Sequence, residues 1–166
     1  SARLPSALSA LFLMMMIADT IFCATKNHKD NIQLSLIASL SFLLSPLIII
    51  WSRTAVSDSL LCATLGASLL SFWRKISSED NGICIIPWIF LAFAVLTKGP
   101  VALVITFTTL FTFLSTHKNW KKLFQIINPG KGLFITFLIS SPWYFIQLFQ
   151  KGNVFWDSFF GYHNLQ

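Results

Sequence analysis

The fold is decided by three long apolar stretches, and the first runs over residues 5–25 as PSALSALFLMMMIADTIFCAT. Two more of similar length follow at residues 32–51 and 54–73. A helix that spans a bilayer needs about 20 mostly apolar residues. The three stretches are too long for ordinary strands, and their apolar residues do not alternate with polar ones. Each stretch therefore predicts a membrane-spanning helix.

Three further apolar blocks complete the pattern. Residues 83–97 and 101–115 are separated only by Lys98-Gly99-Pro100, and the last block covers residues 132–149. The two short blocks predict either a tight hairpin of tilted helices or helices that stop inside a protein-lined cavity. Kinks are expected at Pro46, Pro87 and Pro142. The predicted fold class is all-α, a polytopic transmembrane helical bundle of about six segments.

The composition supports a membrane protein and excludes several other classes. Hydrophobic residues make up 55% of the 166 residues and charged residues 11%, with a mean hydropathy of +0.70. Soluble domains carry roughly 25% charged residues. A chain this short cannot bury so much apolar surface in water. A soluble globular domain, a disordered tail and a disulfide-built secreted module are therefore excluded.

The charges and cysteines do not indicate nucleic acid or a cysteine-bound metal. The net charge is +6, but the twelve basic residues are scattered between apolar blocks and form no stripe that would follow phosphates. The three cysteines lie within or beside apolar runs and have no CxxC spacing. Cys23, Cys62 and Cys84 are therefore predicted to be small buried thiols.

The distribution of Lys and Arg predicts the orientation in the membrane. One set of alternate loops holds eight of the twelve basic residues and the other holds four. Because Lys and Arg are retained on the cytoplasmic side, the set of eight is expected inside. This places residues 51–58, the Lys98-Gly99-Pro100 turn and the tail after Gln150 outside. The outer set is Arg3, Arg53, Lys98 and Lys151, and the inner set is Lys26, Lys29, Arg74, Lys75, Lys118, Lys121, Lys122 and Lys131.

The predicted outer face carries the polar residues that most need an explanation, and each has two interpretations. Asp58 either caps the start of a helix or acts in a site. Lys98 either extends to the interface or contacts phosphate, alone or together with Arg53. His163 is either a packing residue or a metal ligand. Asp19, inside the first apolar stretch, is expected near the cytoplasmic edge in a structural role.

Five short motifs together resemble a known family. The ordered set is similar to the GT-C-type membrane glycosyltransferases of the protein O-mannosyltransferase-like superfamily, with the bacterial enzymes that add aminoarabinose to lipid A as the nearest branch. Nearly the whole chain is covered. The motifs are SDSLL at 57–61, LTKGPVAL at 96–103, SPWY at 141–144, GNVFW at 152–156 and GYHNLQ at 161–166.

This resemblance implies a reaction and a set of site residues. The family takes a sugar from a polyprenyl-phosphate carrier and transfers it with inversion on the periplasmic or lumenal side, so the implied location is the bacterial inner membrane. The implied acceptor is lipid A-type or another envelope glycan or protein. Asp58 matches the family's acidic residue at the second external loop, which implies a catalytic role as a second carboxylate or orienting group. Lys98 matches a lysine that handles the lipid-linked donor, and Arg53 is a further candidate for binding its phosphate. His163 matches a histidine that can bind a zinc ion.

The chain also departs from the family pattern. The family's first external loop carries the acidic residue taken as the catalytic base and a Glu-Lys pair near the donor phosphate, and neither lies in these 166 residues. We therefore expect residues 1–166 to be part of one transmembrane glycosyltransferase domain. The missing parts would be the first helix, the first external loop and the C-terminal region. Isolated transfer activity is expected to be absent.

Two other functional classes stay open from the sequence. A multi-pass transporter or lipid flippase would explain Asp19 and the short helices beside Lys98. Transporters often contain internal repeats with interrupted helices at matching positions. This sequence has one such interruption and no repeat. A non-catalytic remnant of the enzyme is the third interpretation, because the first external loop is missing.

Overall fold

The computed structural model describes residues 4–53, 57–78, 84–116 and 120–151. Every regular element within these ranges is an α-helix, which confirms the all-helical prediction. In chain order they are α1 Leu4–Ala24, α2 Asn31–Leu43, α3 Pro46–Arg53, α4 Ser57–Ser77, α5 Ile86–Lys98, α6 Val101–Thr116, α7 Trp120–Ile127 and α8 Pro129–Lys151.

Two helical stretches of the described chain are long and apolar enough to cross a bilayer: Leu4–Ala24, which is α1, and Leu123–Gln150, which runs from within α7 through α8. Asn31–Leu43, Ile86–Lys98 and Val101–Thr116 are apolar but shorter. The predicted count of six spans is therefore not confirmed. Large apolar side chains cover the outside of the bundle, including Phe111 at 74% and Phe149 at 89% exposure. Such extensive exposed apolar surface suits lipid as the surrounding solvent.

The second predicted segment, residues 32–51, is not one continuous helix. It divides into α2 and α3, with Leu44 and Ser45 between them. Pro46 has no N–H to continue the hydrogen-bond ladder of α2, and its fixed φ suits the first position of a new helix. The prediction of a kinked single span is therefore wrong, because the helix stops and restarts at Pro46.

Helix α4 lies between α1 and α5 and packs closely on both. The small-residue spacing at Ala63 and Ala67 faces the interior, where these residues are 2% and 0% exposed. A Cβ added at Gly66 would lie 2.8 Å from Cδ1 of Leu13 in α1. On the other side, the Ser68 hydroxyl donates to the carbonyl of Pro87 at 2.9 Å. Small residues therefore let α4 approach both neighbours closely.

Trp88 joins α5 to α7 and α8. Its side chain is fully buried, and its indole N–H donates to the Ile127 carbonyl at 3.1 Å. The Thr136 hydroxyl of α8 donates to the carbonyl of Trp88 at 3.2 Å. Pro87 stands in the first turn of α5, so the kink predicted there is wrong, whereas Pro142 lies within α8. Two hydrogen bonds, one at the indole N–H and one at the backbone carbonyl, thus connect Trp88 to α7 and α8.

Helix α7 is an element that the sequence analysis does not predict. Its Leu123, Ile126 and Ile127 are buried, while Trp120 and Phe124 are 52% and 50% exposed. The helix is amphipathic and shorter than the length that identifies a span. It ends at Ile127, and the next residue, Asn128, has a φ of 47° where the chain turns into α8.

The contact between Trp88 and α8 generates a stability prediction. A Cβ added at Gly132 would lie 1.9 Å from Cε2 of Trp88, whereas one added at Gly130 would meet nothing within 4 Å. Gly132→Ala should therefore lower the unfolding free energy by about 1–3 kcal/mol through overpacking. Gly130→Ala, the matched control, should leave it unchanged or raise it by up to about 1 kcal/mol through helix propensity. Denaturant titration of the purified protein measures both, and equal effects of the two substitutions would contradict this packing.

Candidate functional site

Two ion pairs lie at opposite ends of α4. Asp58 lies in its first turn and Arg74 in its last. Sixteen residues separate them, which corresponds to about 24 Å along the helix axis. Helix α5 packs beside α4 and finishes at Lys98. We call the two regions the Lys98 end and the Arg74 end.

At the Lys98 end, an ion pair joins α4 to α5. The Lys98 Nζ lies 2.5 Å from Oδ1 of Asp58, and the two side chains are 50% and 32% exposed. The carboxylate stands at the N-terminus of α4 and the ammonium at the C-terminus of α5, so each charge also interacts favourably with the dipole of its own helix. The structure thus brings together two of the predicted site residues and leaves both side chains partly exposed on the surface of the bundle.

The turn after Lys98 is held by two hydrogen bonds to one carbonyl. The Val95 carbonyl accepts from the Gly99 N–H at 2.8 Å and from the Tyr144 hydroxyl at 3.1 Å. Gly99 has a φ of 77°, a conformation that glycine adopts without steric cost. Tyr144 of α8 therefore helps to position the end of α5 that carries Lys98. Sequence reasoning missed this role, because no local pattern links residues on two separate helices.

For the other predicted site residues, Arg53 and His163, the structure describes no side chain. Arg53 is the last residue of α3, and only its backbone is described. Four residue steps connect it to Ser57, so their Cα atoms lie within about 14 Å of each other. This places the end of α3 near the start of α4. His163 lies outside the described residues.

The zinc prediction finds no ligand set in the described part of the chain. Within those ranges, no group of three or more His, Cys, Asp or Glu side chains is arranged to hold a metal ion. The predicted ligand His163 falls outside them. A zinc site at His163 therefore stays a prediction.

The Arg74 end carries a second ion pair, which sequence reasoning did not identify. Arg74 Nη1 lies 2.5 Å from Oδ2 of Asp19 in α1, and Nη2 lies 3.6 Å from the Cys23 sulfur. A partner on the neighbouring helix is consistent with the structural role expected for Asp19. Cys84 is buried and Cys62 partly buried, but Cys23 is exposed, so the buried-thiol prediction is wrong for Cys23.

Comparison with known proteins identifies the family. Residues 1–154 match the family described as dolichyl-phosphate-mannose-protein mannosyltransferase. The chain belongs to this mannosyltransferase family. The match includes SDSLL at the start of α4, LTKGPVAL across the α5–α6 turn and SPWY in α8. Membership of the mannosyltransferase family confirms the GT-C-like resemblance and, with the apolar helices, a membrane protein.

One curated relative of this chain is much longer. An uncharacterized protein of Aquifex aeolicus (strain VF5) is 31% identical over 170 residues, which cover 99% of this chain and 35% of that protein. The chain thus spans about a third of the length of the curated relative it matches. No solved structure matches the chain significantly.

The exposure of the Asp58–Lys98 pair predicts that it contributes little to stability. Half-exposed ion pairs stabilise proteins by about 0–1 kcal/mol, because water and side-chain entropy offset the attraction. A double-mutant cycle with Asp58→Asn and Lys98→Gln should therefore give a coupling energy below about 1 kcal/mol in the unfolding free energy. A coupling above about 3 kcal/mol would instead indicate a buried structural pair.

Proposed function

We propose that the full-length protein transfers a sugar from a polyprenyl-phosphate carrier to an envelope acceptor, with the Lys98 end as part of its site. One observation carries this proposal. Lys98 and Asp58, which lie in two separate stretches of the resemblance, form an ion pair at a partly exposed end of the helical bundle. A glycosyl transfer from a lipid-linked phosphate needs both kinds of group, one for the departing phosphate and one for the acceptor hydroxyl.

Lys98 is proposed to bind the phosphate of the donor. Its side chain is half exposed and is directed at Asp58, so an incoming phosphate oxygen could share or replace the carboxylate as its partner. Gly99 follows directly and brings a backbone without a Cβ to the same turn. Arg53, at the end of α3, is proposed as a second cation near the same phosphate.

The proposed chemistry is an inverting displacement at the anomeric carbon. The acceptor oxygen forms the new bond to that carbon while the bond to the phosphate oxygen breaks and its electron pair leaves with the polyprenyl phosphate. Lys98 stabilises the negative charge that develops on this leaving group. A carboxylate takes the proton of the acceptor hydroxyl. Asp58 is proposed as that base, or as the second carboxylate that orients the acceptor beside a base elsewhere in the full-length protein.

The acceptor and the branch of the family rest on the resemblance alone, and the orientation has a second support. We propose a lipid A-type or other envelope acceptor, with the bacterial aminoarabinose transferases as the nearest branch, and a periplasmic site on the inner membrane. The positive-inside count supports this orientation, because it assigns Asp58 and Lys98 to the outer face. A zinc ion at His163 is retained as a proposal, and no step of the reaction is derived through it.

The transporter alternative gains one observation from the structure. The break between α2 and α3 is an interrupted apolar helix, of the kind that transporters use around a binding site. A transporter releases its substrate chemically unchanged. Analysis of the products formed from a donor labelled in the sugar separates the two functions. Label covalently attached to the acceptor supports the transferase, and label recovered only as intact donor supports the transporter.

The proposed roles predict a strong loss of transfer in two variants. Asp58→Asn and Lys98→Ala in the full-length protein should each lower the transfer rate at least tenfold, which corresponds to about 1.4 kcal/mol of activation free energy. Lys121→Ala is a matched control, because Lys121 is a basic residue of α7 far along the chain from both. It should keep a rate within twofold of the parent enzyme.

The measurement is the initial rate of label transfer at equal amounts of purified, folded enzyme. The half-exposed pair should leave folding intact in both variants, so a loss of rate reports on the site itself. Near-parental rates of Asp58→Asn and Lys98→Ala would remove both residues from the proposed mechanism.

A further inference from the structure

Two hydroxyl groups of α8 donate hydrogen bonds to backbone carbonyls of α5. The Thr136 hydroxyl binds the Trp88 carbonyl at 3.2 Å, and the Tyr144 hydroxyl binds the Val95 carbonyl at 3.1 Å. The two donors are separated by about 12 Å along α8 and the two acceptors by about 10.5 Å along α5. The helices therefore run parallel, and these bonds fix their register at two levels.

The second of these bonds lies at the turn that carries Lys98. The Val95 carbonyl belongs to the last turn of α5 and also accepts from the Gly99 N–H at 2.8 Å, so both of its lone pairs are engaged. Val95 precedes Lys98 by about 4.5 Å along the helix axis. Gly99, with its φ of 77°, ends the helix directly after Lys98. Tyr144 thus connects the backbone of this turn to α8.

The side chain of Lys98 is held differently from its backbone. The Nζ atom pairs with Asp58 of α4, and half of the side chain is exposed. A donor phosphate that shares or replaces this carboxylate would weaken the link from α5 to α4. The bond from Tyr144 goes to a main-chain carbonyl and does not involve the ammonium. It can therefore stay in place while the partner of Lys98 changes.

We propose that Tyr144 is a positioning residue for donor binding. Its hydroxyl holds the last turn of α5 so that the Lys98 ammonium lies where the phosphate of the lipid-linked donor binds. This inference rests on the proposed function and adds to it a residue from a third helix. Without the bond, the turn would have to be ordered when the donor binds, and the cost of that ordering lowers the affinity. Tyr144 acts through Lys98 and is not assigned a contact with the substrate.

Two variants that each remove one hydroxyl form a matched pair. Tyr144→Phe removes the bond to Val95 and keeps the ring, which packs against the buried core. The Val95 carbonyl then retains the Gly99 N–H as its partner. Thr136→Val removes the equivalent bond to Trp88, about two turns away, and keeps a side chain of similar shape. Each variant loses one hydrogen bond and is expected to fold, which its thermal denaturation midpoint checks.

The experiment measures the dissociation constant of a short-chain polyprenyl phosphate for the purified full-length protein in detergent micelles, by isothermal titration calorimetry. Tyr144→Phe should raise the Kd at least fivefold, and Thr136→Val should change it less than twofold. Lys98→Gln should raise the Kd at least tenfold, because it removes the ammonium itself. In the Lys98→Gln background, Tyr144→Phe should change the Kd less than twofold further, because the group that it positions is gone.

Several results would overturn the proposal. Equal increases in Kd for Tyr144→Phe and Thr136→Val would indicate a general loosening of α8 against α5. A fivefold effect of Tyr144→Phe in the Lys98→Gln background would show that Tyr144 acts independently of Lys98. An unchanged Kd in Tyr144→Phe, with the expected increase in Lys98→Gln, would overturn this inference and leave the proposed function in place. An unchanged Kd in Lys98→Gln would remove Lys98 from the donor site and overturn both.

Discussion

The close antiparallel packing of α4 against α5 is the constraint on which the rest of the structure depends. Lipid provides no hydrophobic driving force between helices, so close approach and hydrogen bonds must hold them together. Ala67 and Ser68 are fully buried, and the Ser68 hydroxyl reaches the Pro87 carbonyl of the facing helix. This packing sets Asp58 opposite Lys98 at one end and leaves Arg74 to pair with α1 at the other.

The apolar pattern predicts helices well but does not predict where a helix stops. Length and hydropathy predicted α1 and α8, and Lys98-Gly99-Pro100 correctly marked the turn between α5 and α6. Length and hydropathy could not show whether Pro46 bends one continuous helix or begins a new one. Helix α7 was missed because its eight residues are too few to register as a span. The contact between Tyr144 and Val95 was also missed, because residues 49 positions apart leave no local signal.

Both ion pairs join a basic side chain to an aspartate, but their surroundings in the structure differ. Each joins α4 to a neighbour and is partly exposed, so neither is expected to contribute much to stability. The pair at Lys98 lies within the residues that match the mannosyltransferase family, beside a turn held by Tyr144. At the other end, Arg74 lines a cavity between α1, α4 and α5. Surroundings, rather than the charges themselves, distinguish the two ends.

The central claim is that the Lys98 end receives the phosphate of a lipid-linked donor. The most direct test uses a polyprenyl phosphate that carries a photoreactive diazirine close to the phosphate. The probe is cross-linked to the full-length protein, and the labelled peptides are identified by mass spectrometry. Labels within the turn between α5 and α6, beside Lys98, are the predicted result. Labels confined to the Arg74 end, with the turn at Lys98 unmodified, would contradict it.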